Sequence, residues 1–401
     1  MDALQTIVLG VTGGIAAYKA AELARLLVRG GFTVQVVMTD AATEFVTPLT
    51  FQTLTGRPVL RDLFAAADGG SVRHVDLARE ADLLVVAPAS ANTLAKMALG
   101  IADNLLTTVY LAASSPVILV PSMNDQMFAH PAVRENLARL EARGCLILEP
   151  ATGELACGTI GKGRMPEPQQ IYEFIRAAVA PKDYKGVTAL VTAGPTREYV
   201  DPVRFLSNPS TGLMGYAIAR ALAERGARVK LVSGPTGLPC PAGVSRTLVT
   251  TAREMYDAVM GLYADCGLVI KTAAVSDYRP VEVSPQKLKK GAPRLTLELA
   301  ANPDILKELG RNKGNRILVG FAAETENGLL YARQKLAEKN LDLIVLNDLT
   351  APGAGFAVST NRVQLIGKDG AAEELPLMKK DELAHRILDR VAAIRGAGDK
   401  K

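Results

Sequence analysis

The chain reads as an α/β protein made of two successive Rossmann-like three-layer domains. Three observations carry that reading. An apolar strand, Thr6-Ile-Val-Leu-Gly-Val11, runs through Thr12-Gly13-Gly14 into a helical pattern. The same order returns at Leu190-Val-Thr-Ala-Gly-Pro-Thr196, followed by the loop Ser207-Asn-Pro-Ser-Thr-Gly212 and a second helix. After each opening, short apolar strands alternate with amphipathic helices, the pattern of parallel βαβ units with right-handed crossovers. The expected domains are 1–180 and 186–401, joined by the polar connector Ala180-Pro-Lys-Asp-Tyr-Lys-Gly186.

Composition narrows the class. At 401 residues, 48% hydrophobic and 22% charged, each half can bury a proper core. The net charge of +5, from 46 basic and 41 acidic residues, suits phosphorylated small molecules and is too evenly spread to argue for nucleic acid. No apolar run is long enough for a membrane span, and no secretion signal is visible, so a cytoplasmic protein is expected. The four cysteines (Cys145, Cys157, Cys240 and Cys266) show no CxxC spacing and no nearby His partners, against a disulfide framework or zinc site.

In the first half, strand 6–12, a helix at about 15–29 and strand Phe32–Met38 form one βαβ unit. Asp82–Ala87 is the next buried strand. Helices at about 91–99 and 104–113, strand Val117–Val120, a helix at 132–143 and strand Cys145–Leu148 complete the sheet. Ligands in such sheets bind at the carboxyl ends of the strands, so loops 12–15, 88–93 and 121–128 fall on one rim. Gly13 and Gly14 let an anion approach a helix start, although G-x-G-x-x-G is absent, which favours a mononucleotide over NAD. Ser90, Asn92 and Thr93 read equally well as caps or as ligand contacts. His74, in Ser71-Val-Arg-His-Val-Asp-Leu77, reads by default as structural, and Asn124 as a turn residue. The glycine-rich stretch Gly153–Pro166, with Cys157 inside it, reads as a flap able to cover a site.

Taken together, Gly13-Gly-Ile-Ala-Ala-Tyr-Lys19, Ala87-Pro-Ala-Ser-Ala-Asn-Thr93, Pro121-Ser-Met-Asn124 and Ala156-Cys-Gly-Thr-Ile-Gly-Lys-Gly-Arg-Met165 resemble the flavin-dependent cysteine decarboxylases. The resemblance is greatest to the phosphopantothenoylcysteine decarboxylases and covers essentially the whole half. It implies a flavodoxin-like fold, bound FMN and trimeric units. On the matching residues, His74 stands beside the flavin, Asn124 grips the substrate carboxylate and Cys157 is the flap thiol that protonates the product. Gly13, Gly14, Ile15, Thr39, Ser90, Asn92 and Thr93 are the implied flavin-binding positions. Such a reaction needs the flavin, because decarboxylating a cysteine amide otherwise leaves a carbanion with no electron sink. A thiol still protonated at neutral pH can return the proton.

The second half repeats the alternation. Strand 187–193, helix 212–225 and strand Val229–Ser233 precede a helix at 252–264 and strand Leu268–Thr272. Further strands are expected at Leu295–Leu299, Ile317–Phe321 and Leu341–Leu346, with a helix starting near Asn302 and another ending near 339. A terminal amphipathic helix at 379–395 carries His385, read as a surface residue, and 396–401 as a frayed tail. Lys287, Lys289 and Lys290 could be a solvated charge run. Their place between Asp277 and the helix start at 302 would also let them reach a triphosphate, with Asp277 holding its magnesium. Lys335 and Lys339 share one helix face. There is no Walker P-loop.

Gly194-Pro-Thr-Arg-Glu198, Asp201-Pro-Val-Arg204, Ser207-Asn208, Ala273-Ala274, Asp277-Tyr-Arg279, Asn302-Pro-Asp-Ile305, Gly320-Phe-Ala-Ala-Glu-Thr325 and Asn347-Asp348 resemble the phosphopantothenate–cysteine ligases. The resemblance implies CTP and Mg2+, an acyl-cytidylate served by Asn208, and a nucleotide site of Asp277, Lys287, Pro303, Asp304, Ile305, Phe321, Lys335 and Lys339. Members of that family often carry Lys where this chain has Leu213. The two halves together imply a fused enzyme of coenzyme A biosynthesis acting on 4'-phosphopantothenate, cysteine and CTP. Its implied assembly is a homo-oligomer of trimeric decarboxylase units joined by ligase dimers. The competing reading, a flavin electron-transfer module fused to a nucleotide-binding domain, has no use for a thiol on the flap.

Overall fold

The computed structural model describes residues 5–64, 73–154, 158, 160–289, 295–324, 328–348, 355 and 358–398. It divides into two compact units, Met1–Val179 and Ala180–Lys401. Among the described residues, no helix is long and apolar enough to cross a membrane.

The first unit runs β1 (Thr6–Val11), α1 (Ala17–Arg29), β2 (Thr33–Met38), α2 (Asp40–Thr43), α3 (Pro48–Thr55), α4 (Arg73–Glu80), β3 (Leu83–Ala89), α5 (Ala91–Leu99), α6 (Leu105–Ala112) and β4 (Val117–Pro121). It continues with α7 (Asp125–Ala129), α8 (Pro131–Ala142), β5 (Leu146–Ile147), β6 (Ala151–Glu154), β7 (Ile160–Arg164) and α9 (Pro168–Val179). Five parallel strands stand in the order β2-β1-β3-β4-β5, the flavodoxin-like arrangement. The apolar strand runs follow from burial on both faces. Ile7, Leu9, Leu83 and Val85 pack toward Leu23 and Leu27 of α1 and Ile171 and Ile175 of α9. Val8, Leu84 and Val86 face Leu94, Met97, Leu106 and Leu140 on the other side.

Caps set the helix starts. The Ser90 hydroxyl accepts from Thr93 N at 3.3 Å, the Asn104 side chain from Thr107 N at 3.1 Å, and His130 Nδ1 from Ala132 N at 3.2 Å. The expected flap is, at its base, an antiparallel hairpin of β6 and β7. Two of its glycines serve close packing. A Cβ at Gly161 would lie 2.6 Å from Asp125 Cβ, and one at Gly163 would lie 2.2 Å from the Met123 carbonyl oxygen. Cys157 lies outside the described residues.

The second unit runs β8 (Thr188–Ala193), β9 (Arg197–Tyr199), β10 (Phe205–Ser207), α10 (Leu213–Glu224), β11 (Arg228–Ser233), β12 (Val244–Leu248), α11 (Ala252–Tyr263), β13 (Leu268–Lys271), β14 (Tyr278–Pro280) and β15 (Leu299–Ala301). It continues with α12 (Ile305–Arg311), β16 (Ile317–Glu324), α13 (Gly328–Glu338), β17 (Leu343–Asp348), β18 (Thr360–Gly367), β19 (Ala372–Lys379) and α14 (Lys380–Gly398). The sheet order is β12-β11-β8-β13-β16-β17-β18-β19. Its six parallel strands, counted along the chain, stand 3-2-1-4-5-6, the dinucleotide-fold order, and β18 and β19 extend the edge antiparallel.

Three expectations need correction here, and one stretch gains an element. The strand expected at 295–299 is displaced to Leu299–Ala301, because it pairs in a small ribbon with Tyr278–Pro280 outside the main sheet. The β18–β19 hairpin fills the stretch before the last helix, where no element had been assigned. That helix continues to Gly398, into the supposed tail. His385 is more than a surface residue: its Nε2 lies 3.2 Å from Oε2 of the buried Glu224.

Candidate functional sites

In the first unit the strand order reverses between β1 and β3, where a ligand crevice opens at the carboxyl ends. Thr12 ties the two loops there. Its hydroxyl donates to the Pro88 carbonyl at 2.7 Å and accepts the Ser90 N–H at 2.9 Å. Gly13 is required by packing, since a Cβ there would fall 2.6 Å from Ala41 Cβ. Gly14 is different: a Cβ there meets nothing within 4 Å among the described residues, and Ile15 beside it is 62% exposed. Thr39, at the end of β2, has a buried Oγ1 without a hydrogen-bond partner among the described residues. An unmet donor at this strand end fits a bound phosphorylated flavin.

The rim thus gathers Gly13, Gly14, Ile15, Thr39, Ser90, Asn92 and Thr93 at strand ends, with Ser90 spent on capping α5. Asn124 follows β4 and caps α7, its Oδ1 accepting from Gln126 N at 2.9 Å. The hairpin is fastened beside it, Met123 N donating to the Gly163 carbonyl at 3.0 Å. Lys19 adds a second fastening. Its buried ammonium lies 2.9 Å from Glu167 Oε1 and 3.2 Å from the Met165 carbonyl. Two sequence motifs far apart in the chain are therefore one structural joint. His74 sits half-buried in the first turn of α4.

In the second unit a cavity of about 590 Å³ opens at the reversal between β8 and β13. Asn208, Asp277, Pro303, Asp304, Ile305, Phe321, Lys335 and Lys339 all line it, as does Leu213 at the first turn of α10. The Asn208 amide is oriented by donating to the Ala274 carbonyl at 3.1 Å. Asp304 caps α12, accepting from Lys307 N at 3.0 Å, and pairs with Lys339 Nζ at 2.8 Å. Burial works to raise its pKa, but these partners hold the carboxyl below the usual range.

Lys287 is exposed and does not line the cavity. Its loop is anchored at the neighbouring residue: Leu288 N donates to Asp201 Oδ2 at 3.1 Å, and Arg204 Nη1 donates to the Leu288 carbonyl at 3.1 Å. The Asp201-Pro-Val-Arg204 motif is thus the holder of the lysine loop.

The sequence reading gave no role to Lys271, Asn361 or Lys380 and named Asn347 only as part of the Asn347-Asp348 motif, yet all four are on the cavity wall. Lys271 was findable, because it ends the strand at the topological switch. Asn347 ends the parallel strand β17, while Asn361 comes from the antiparallel β18 and Lys380 from the start of α14, which no motif announced. Burial lowers the pKa of Lys380, whose ammonium donates to the Gly355 carbonyl at 3.0 Å. Asn347 Oδ1 is buried without a hydrogen-bond partner among the described residues, on a side chain that lines the cavity. Among the described residues no group of three His, Cys, Asp or Glu side chains could hold a metal by itself.

Both folds, each with a ligand crevice at its switch point, define a flavoprotein joined to a second nucleotide-fold unit. Family models agree: "Flavoprotein" matches residues 1–180, and "DNA/pantothenate metabolism flavoprotein C-terminal domain" matches 184–394. The chain is 49% identical over 396 residues to the coenzyme A biosynthesis bifunctional protein CoaBC of Bacillus subtilis, covering 97% of each chain. It is 46% identical over 390 residues to the Escherichia coli protein of the same name, covering 96% of each. A crystal structure of the C-terminal domain of a CoaBC protein covers 54% of this chain and 99% of its own, at 44% identity and a TM-score of 0.47. The chain belongs to the CoaBC family: it is a bifunctional enzyme of coenzyme A biosynthesis, phosphopantothenoylcysteine decarboxylase and phosphopantothenate–cysteine ligase.

Proposed function

We propose that the C-terminal cavity activates 4'-phosphopantothenate with CTP and Mg2+, and that the N-terminal rim decarboxylates the product with FMN. The observation that carries the ligase reading is the convergence of Lys335, Lys339, Asp277 and Asn208 on one cavity at the switch point. A free carboxylate is a poor electrophile. Its oxygen therefore attacks the α-phosphorus of CTP, pyrophosphate leaves, and the cysteine amine then displaces CMP from the acyl carbon. Lys335 and Lys339 neutralise the triphosphate, with Lys287 brought by its loop, while Pro303, Ile305 and Phe321 supply apolar wall. Asn208 holds the acyl group. Magnesium would arrive with the phosphates and take Asp277 as a single protein carboxylate, which suits its preference for phosphate and water.

In the N-terminal unit, Gly13, Gly14, Ile15, Thr39, Ser90, Asn92 and Thr93 would hold FMN. Bound there, FMN supplies the reversible two-electron chemistry that decarboxylation of a cysteine amide needs. Asn124 grips the carboxylate that is lost, His74 stands beside the flavin, and Cys157 returns a proton to the product carbon. The hairpin anchored beside Asn124 supports delivery of that thiol to the substrate. The units assemble as a homo-oligomer, trimeric through the decarboxylase and dimeric through the ligase.

The test is to supply purified protein with 4'-phosphopantothenate, cysteine, Mg2+ and either CTP or ATP, and to follow pyrophosphate and carbon dioxide. Both products, with CTP alone, are expected. Equal rates with ATP would overturn the nucleotide choice, and pyrophosphate without carbon dioxide would overturn the FMN-dependent step.

A further inference from the structure

Lys271 is the last residue of β13, paired in register with Thr192 of β8 and Gly320 of β16, and it lines the cavity at the carboxyl end of the sheet. It is half-buried, and its ammonium has no hydrogen-bond or ion-pair partner among the described residues. The charged groups facing it are Lys335 of α13, Lys339 just past that helix, Asp304 at the start of α12, and Asp277 beyond its own strand. Asp304 is already committed to Lys339 and to the α12 cap. A desolvated ammonium beside two other lysines, with its nearest carboxylate engaged, is an arrangement a protein keeps only where an anion completes it.

We infer that Lys271 binds the nucleotide's phosphates, forming with Lys335 and Lys339 a three-lysine cradle in the cavity. This deepens the nucleotide reading above and rests on it. The cavity's other residues leave the polyanion as the natural partner: one further ammonium aimed into a space already walled by two lysines gathers charge for a triphosphate.

The cradle has a protonic consequence. Desolvation, then the charges of Lys335 and Lys339, bring the Lys271 pKa down from 10.5 to about 8. A triphosphate reverses the local charge and raises it again, so binding near pH 8 takes up roughly half a proton at this residue.

The experiment is calorimetric titration of the full-length protein with CTP and Mg2+ at pH 8, in two buffers of different ionisation enthalpy. Wild type, Lys271→Met, Lys271→Arg and Lys335→Met are compared. Wild type is expected to bind with proton uptake. Lys271→Met should bind about tenfold or more weakly, as for loss of a charged hydrogen bond, with uptake reduced. Lys271→Arg should also lose that uptake, because a guanidinium is charged before and after binding, so the arm survives even if the Met variant folds poorly. If both Lys271 variants keep wild-type uptake, or Met keeps wild-type affinity, while Lys335→Met binds weakly, Lys271 is not in the cradle. If wild type itself binds no CTP, the nucleotide reading falls and takes this inference with it.

Discussion

Asp304 holds Lys339 at 2.8 Å through one carboxylate oxygen and starts α12 through the other, at 3.0 Å from Lys307 N. A helix cap and the hold on a cavity-lining lysine are therefore one side chain's work. Replacement by Ala should cost about 1 kcal/mol of cap stability, whereas Asn, itself a good cap, should cost only a few tenths. Both should raise the KM for CTP by releasing Lys339. Thermal melts beside steady-state kinetics separate the two effects, and an Asn variant with unchanged KM would show that the ion pair does not orient Lys339.

Gly215 lets α10 lie directly on the sheet at the cavity. A Cβ there would come within 2.4 Å of Thr272 Oγ1 and 2.5 Å of Ala193 Cβ. Gly215→Ala should destabilise the C-terminal unit by about 1–3 kcal/mol, as overpacking does, and reduce pyrophosphate release. Denaturant unfolding checks the first, and an unchanged midpoint would mean that the helix has room to shift.

Gly14 should behave oppositely. Its Cβ position is open space and its backbone is not in the left-handed region, so Gly14→Ala should leave stability of the flavin-free protein unchanged or slightly raised. Flavin retention through gel filtration should nevertheless fall. Full retention would place the flavin phosphate elsewhere on the rim.

Lys271 sets a pH dependence of stability with a definite sign. Its folded pKa, about 8, lies below the usual 10.5, so the unfolded chain binds more protons between those values. The destabilisation from burying this charge is complete below pH 8 and fades as pH rises toward 10.5. Lys271→Met should thus melt higher than wild type at pH 7 without nucleotide, and the gap should close at alkaline pH. A gap that does not change with pH would point to packing instead.

Cys157→Ser should lower carbon dioxide release by about 10²–10⁴-fold, the range for a positioned acid, while pyrophosphate release continues. Normal decarboxylation by this variant, with His74→Asn inactive, would remove the thiol from the chemistry.

Much of this was legible along the chain, because it depends on local pattern. Apolar runs such as Leu83–Ala89 must be buried on both faces, and the strand–turn–helix openings at Gly13 and Gly194 announce crevices at strand ends. Chain-order motifs also named seven residues of the C-terminal cavity besides Asn208. Tertiary structure decided what depends on distant partners. It made Lys19 and Met165 one joint, gave Gly161 and Gly163 a packing role in place of a flexible one, and moved Lys287 off the wall because Asp201 holds its loop. It also brought Asn361 of the antiparallel β18 and Lys380 at the start of α14 to the cavity, from elements that carry no local signature. The sequence by itself determined two nucleotide folds and their chemistry. Only the fold decided which charges lack a partner, since that is a property of the space around a side chain and not of its neighbours in the chain.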